Sequence, residues 1–79
     1  MPSLKKLLSR FTRNEREVIE VLIERIISLN WRGLDVKKLR GYRDIFRLRK
    51  GDIRIIYRVQ GKQTFILAIE RRNEGTYKF

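Results

Sequence analysis

The stretch Ile45-Phe46-Arg47-Leu48-Arg49-Lys50-Gly51-Asp52-Ile53-Arg54-Ile55-Ile56-Tyr57-Arg58-Val59-Gln60 decides the fold. Apolar and charged residues alternate along it, which is the side-chain period of a half-buried strand. The runs Ile45–Arg49 and Ile53–Gln60 flank Lys50-Gly51, and a third run, Thr64–Glu70, follows Gly61-Lys62. Each turn pair supplies the glycine a tight hairpin needs. With two-residue loops, Arg49 faces Asp52, Leu48 faces Ile53, Arg47 faces Arg54 and Phe46 faces Ile55. In the second hairpin Arg58 faces Phe65, Ile56 faces Leu67 and Arg54 faces Ile69.

This register separates two surfaces. One carries Phe46, Leu48, Ile53, Ile55, Tyr57 and Val59 and suits a covering layer of helix. The other carries Arg47, Arg49, Arg54 and Arg58 among Ile45, Ile56, Leu67 and Ile69, and steps of two along the third strand bring Arg71 there too. Exposed arginines are usually just solvated. Arg47 directly opposite Arg54 is different, because like charges across a ladder destabilise the sheet. A face both basic and apolar reads as a surface that something covers.

Toward the N-terminus the period changes to that of a helix. Ser3 can cap a first helix from Leu4 to Arg10, with Leu4, Leu7, Leu8 and Phe11 on one side. Thr12-Arg13-Asn14-Glu15 fits a capping box. It opens a second helix from Arg13 to about Leu29, whose apolar positions are Val18, Ile19, Leu22, Ile26 and Leu29. Asn30 and Gly33 end it, and residues 34–44 read as a connection. The expected fold is α+β: a helical hairpin over about 4–29 on a three-stranded antiparallel sheet over about 45–70, all in one domain, followed by a C-terminal segment 71–79.

Composition narrows the chemistry. A chain of 79 residues buries only about 60% of its unfolded surface. Its 42% hydrophobic content suffices for one core. There is no cysteine and no histidine, which removes disulfides, thiolate metal sites, histidine general bases and Ser-His-Asp, Cys-His and zinc-hydrolase chemistries. No metal or cofactor site is expected. The net charge is +11, from 20 Lys+Arg against 9 Asp+Glu, and favours a polyanionic partner. No apolar run approaches the ~20 residues of a membrane span, and Leu4 to Leu8 is too short for a signal-peptide core. The expected location is the cytoplasm.

Lys38-Leu39-Arg40-Gly41, Phe46-Arg47-Leu48-Arg49, Gly51-Asp52-Ile53-Arg54-Ile55-Ile56-Tyr57, Arg71-Arg72 and Tyr77-Lys78 together resemble the RelE/ParE superfamily of toxins from type II toxin–antitoxin pairs, over roughly residues 4–79. The late Arg71 and Tyr77-Lys78 are closer to the RelE branch. That resemblance implies a ribosome-dependent mRNA endonuclease with Arg47, Arg49, Arg54, Arg71 and Tyr77 at the scissile phosphate. It implies RNA contacts from Arg40, Arg43, Lys50, Arg58, Arg72 and Lys78, and a cognate antitoxin with an acidic binding segment. The sequence departs from the family in two places. The usual first strand is missing before Leu4, and Arg47 and Arg49 stand where RelE-like enzymes have lysines. Arginine does not give up its proton, which leaves the general base open between groups such as Tyr77 and Lys50.

Three functions compete at this level. The first is the endonuclease. The second is a ParE-like inhibitor of DNA gyrase. The third is a degenerate basic module that binds RNA without catalysis.

Overall fold

The computed structural model describes residues 4–71. Two helices, α1 (Leu4–Leu8) and α2 (Arg13–Ile27), precede four strands. These are β1 (Asp35–Lys38), β2 (Ile45–Lys50), β3 (Ile53–Gln60) and β4 (Gln63–Arg71), in an antiparallel sheet of order β1-β2-β3-β4.

The capping box forms as the sequence specifies. Thr12 Oγ1 accepts from the Glu15 N–H at 3.2 Å, and Glu15 Oε1 accepts from the Thr12 N–H at 2.8 Å. The α2 helix then buries Ile19, Leu22, Ile23 and Ile26 against the sheet. It stops at Ser28, earlier than expected, because Leu29 takes a left-handed φ of 60°. The Asn30 N–H returns to Arg25 O and the Leu29 N–H to Ile26 O, closing a Schellman motif. Leu29 is therefore outside the core, 58% exposed, and Val18 lies off the buried face of α2, 47% exposed.

Two expectations are corrected here. The first is the helical hairpin on a three-stranded sheet. The α1 helix is barely more than one turn, and each helix lies chiefly against β4 rather than forming the legs of a hairpin. The stretch read as a connection contributes the fourth strand, β1, which pairs Asp35 with Arg49 and Val36 with Leu48. It carries a single apolar residue, Val36, so it shows no alternation to read. What specifies it is tertiary: Val36 packs against the core and Asp35 bonds to Arg49 across the ladder.

The second correction is register. The first turn is Gly51-Asp52, not Lys50-Gly51, so β2 slides two positions and Arg49, rather than Arg47, opposes Arg54. A slide of two keeps every side chain on its expected face. The second hairpin begins as expected, with Arg58 opposite Phe65. A bulge then inserts Leu67, so that Ile56 opposes Ala68 and Arg54 opposes Glu70. That single extra residue reverses the facing of everything after it. Ile69 enters the helix-side core, and Arg71 lies on the helix side too, opposite Ile53.

The core fills the space between the helices and this face. Ile19, Ile26, Leu48, Ile55 and Tyr57 are fully buried in it. Trp31 closes one end, with ring centroids 5.0 Å from Phe46 and 5.6 Å from Tyr57. Its indole N–H donates to Ile26 O at 3.2 Å, which ties the ring to the end of α2.

Candidate functional site

The outer face of the sheet has its own small apolar centre. Ile45, Ile56 and Ala68 are buried there, with Leu39 and Leu67 packed against them. Leu39 comes from the loop after β1. Leu67 reaches the cluster because it is the bulged residue. Cationic side chains surround this centre, from β2 and β3.

Two aspartates hold most of the arginines in place. Asp35 Oδ2 accepts from Arg49 Nε at 3.1 Å, and Asp35 Oδ1 lies 3.5 Å from Arg47 Nη2. Asp44 Oδ2 lies 3.4 Å from Arg58 Nε and accepts from Gln60 Nε2 at 3.3 Å. The Arg58 Nε contact is a charge contact without hydrogen-bond alignment, because that atom is buried and lacks an aligned acceptor.

Arg54 is the exception. Its ladder neighbours are Arg49, a like charge, and Glu70. Glu70 is engaged elsewhere, by Arg10 Nη2 at 2.9 Å. Arg54 Nε is buried with no hydrogen-bond partner. A buried donor left without an acceptor costs about 1–3 kcal/mol, more when charged. The arrangement is poor for folding and well suited to receiving an anion, since a guanidinium offers a planar fork to phosphate oxygens.

The structure gathers Arg47, Arg49, Arg54 and Arg58 on this one face, as the sequence indicates. Arg40 and Arg43 are exposed in the loop that delivers Leu39. Lys50 is exposed at the end of β2, opposite Ile53, and belongs to the helix-side alternation. Arg72, Tyr77 and Lys78 lie outside the described residues. Asp35 and Asp44, which orient three of the arginines, were not singled out from the sequence. Asp35 becomes legible only once β1 is paired with β2.

Arg71 does not join the cluster, and this corrects the expected convergence of four arginines. Turned by the bulge, it donates through Nε to Glu15 Oε2 at 2.9 Å and through Nη2 to Glu15 Oε1 at 2.8 Å and to Arg10 O at 2.9 Å. Its guanidinium also sits over the Phe11 ring, 4.8 Å from the centroid. The Arg71 bonds, followed by the Thr12 N–H, hold the Glu15 carboxyl down at about 2. Tyr57 lies on the same side, and burial raises its phenol above the ordinary value, so it stays neutral and remote from the arginine face.

Among the described residues, no three His, Cys, Asp or Glu side chains group to hold a metal ion. No described helix is long and apolar enough to cross a membrane.

No family model matches the chain, and no curated protein matches it. A chain from the crystal structure of the RelB-RelE antitoxin–toxin complex of Methanococcus jannaschii matches with a TM-score of 0.71 and 28% sequence identity, over 85% of this chain and 81% of that one. The chain has a RelE-like fold.

Proposed function

We propose that this protein is the toxin of a type II toxin–antitoxin pair, and that it acts as a ribosome-dependent, metal-independent mRNA endonuclease. The likeness to a RelB-RelE complex chain supports the first part. The observation that carries the second is Arg54: a half-buried cation on a basic face, with its Nε lacking an acceptor.

In such a reaction the ribose 2′-oxygen attacks the adjacent phosphorus and the 5′-oxygen leaves. The 2′ proton passes to a base, and the leaving oxygen takes up a proton. Negative charge grows on the phosphoryl oxygens. Arg54, with Arg47 and Arg49 steadied by Asp35, would stabilise that charge from donors already in position. A single donor of this kind is worth about 3–4 kcal/mol in a preorganised site. The arginines stabilise and do not act as the base. The antitoxin would bring an acidic segment, since a basic surface of this kind is stable under a cover only when the cover carries counter-charge.

The test is cleavage of mRNA on programmed ribosomes by the purified full chain, with Arg54→Ala alongside. Cutting in the A site that drops by about 100-fold in the variant supports the reading. Inhibition of gyrase supercoiling with intact translation would select the ParE-like alternative and overturn it. One observation favours the non-catalytic reading: Arg71, expected at the phosphate, is engaged by Glu15 on the opposite side of the sheet. That reading requires salt-dependent RNA binding with neither cleavage nor growth arrest on expression.

A further inference from the structure

Among the described residues, Phe65 stands apart from every other half-buried apolar residue. Leu7, Trp31, Leu34, Val36, Phe46, Val59 and Ile66 pack on the helix-side core, and Leu39 and Leu67 pack on the outer cluster. Phe65 is only partly covered and joins neither. It precedes the bulge and pairs directly with Arg58. Its neighbour Ile66 points into the helix-side core, so Phe65 points to the arginine face. Among the described residues, no ring or guanidinium packs on it, whereas Phe46 and Tyr57 stack, Trp31 meets Phe46 tilted and Tyr57 edge-on, and Phe11 is capped by two arginines. An aromatic side chain that serves no core, beside a held arginine, fits the face of a nucleobase.

We infer that Phe65 is a stacking platform for an unpaired nucleobase, and that the outer face therefore takes single-stranded RNA. The inference rests on the RNA-binding reading above and adds a residue and a strand requirement to it. Cross-strand neighbours have Cβ atoms about 5 Å apart, so Arg58 can hold the phosphate of the nucleotide whose base lies on Phe65. Arg54 stands two residues beyond Ile56 on the same strand and the same face, within reach of the next phosphate. Stacking on a ring accepts any base, so the platform supplies affinity without sequence preference. A duplex hides its base faces and would use the arginines alone.

The experiment is fluorescence anisotropy of a labelled oligouridylate with the full chain, together with an abasic strand of the same length and a duplex. Four variants are compared: Phe65→Ala, Phe65→Leu, Phe65→Trp and Arg58→Ala. Phe65→Ala and Phe65→Leu should each weaken the oligouridylate by about tenfold, and Phe65→Trp should retain binding. None of the three should alter the salt dependence, whereas Arg58→Ala should reduce its slope by about one. The abasic strand should bind wild type and Phe65→Ala alike. Binding by Phe65→Leu equal to wild type, or a duplex bound as tightly as the single strand, overturns the platform and leaves the RNA reading standing. A wild-type chain that binds none of the probes overturns the RNA reading itself.

Discussion

The two faces of the sheet are built from alternate residues of the same strands, and they meet opposite demands. The helix side is closed: Ile55, Leu48 and Tyr57 are fully buried, and Arg71, the cation at its margin, is bonded to Glu15 and Arg10. The outer side has a centre of three buried apolar residues under a ring of arginines. Two of these, Arg54 and Arg58, leave a buried Nε without a hydrogen-bond acceptor, and of the two only Arg58 has an ion-pair partner among the described residues. On the helix side the marginal cation is satisfied, although the buried Tyr57 hydroxyl has no hydrogen-bond partner among the described residues. On the other, Arg54 and the Phe65 ring stay available, which supports the proposal that a ligand binds there.

Adjacent isoleucines test this contrast most strongly. Ile55 belongs to the helix-side core and Ile56 to the outer cluster, 0% and 3% exposed. Truncating a buried isoleucine costs about 2–5 kcal/mol, depending on how well the site collapses. Ile55→Ala is expected near the upper end of that range, about 4–5 kcal/mol, which is most of the stability of a small domain. Ile56→Ala is expected near about 2 kcal/mol, because long arginine stems can settle over the gap. Denaturant unfolding of both variants decides it, and equal losses would make the outer cluster a second core rather than a seat for a ligand.

The margin of the helix side responds to pH. Glu15 titrates at about 2 in the folded protein against an ordinary 4.5. Its folded value is depressed, so its contribution is complete above 4.5 and is lost as the pH falls toward 2. Thermal melts of the wild type should decline across that interval. Glu15→Gln should melt lower than wild type at neutral pH and decline less steeply over the same interval, and parallel curves would remove the clamp from the account.

The smallest effect concerns Leu29. Its left-handed backbone is strained for any residue but glycine, asparagine or aspartate, and its side chain is 58% exposed. Leu29→Gly should therefore raise stability by about 1 kcal/mol, a shift of several degrees in Tm. A loss of stability would show that Leu29 holds packing its exposure conceals.

The parts legible in the sequence are those set by local chemistry. The Thr12–Glu15 box, the amphipathic α2 and the division of β2 and β3 into two faces all follow from spacing alone. The hidden parts depend on partners distant along the chain. β1 has too few apolar residues to alternate and exists through Asp35 and Val36 meeting β2. The bulge at Leu67 leaves no mark in a run as uniform as Phe65-Ile66-Leu67-Ala68-Ile69, yet it alone moves Arg71 from one face to the other. A period of two identifies faces only as far as the first irregularity. The arginine cluster was therefore legible up to Arg58 and misread at Arg71.

Under the proposed function, the outer face carries an unsatisfied cation at Arg54 because an anionic ligand satisfies it. Arg54→Met tests this most directly, measured in parallel by denaturant unfolding and by RNA-binding anisotropy. Methionine retains much of the stem that covers Ile56 and removes the nitrogen that lacks an acceptor. Stability should stay within about 1 kcal/mol of wild type or rise, because a buried donor without an acceptor is gone. RNA affinity should fall by about tenfold or more, the worth of a charge-assisted hydrogen bond to an anion. A variant that loses stability and binds RNA as wild type does would contradict the account, because Arg54 would then serve the fold and not the ligand.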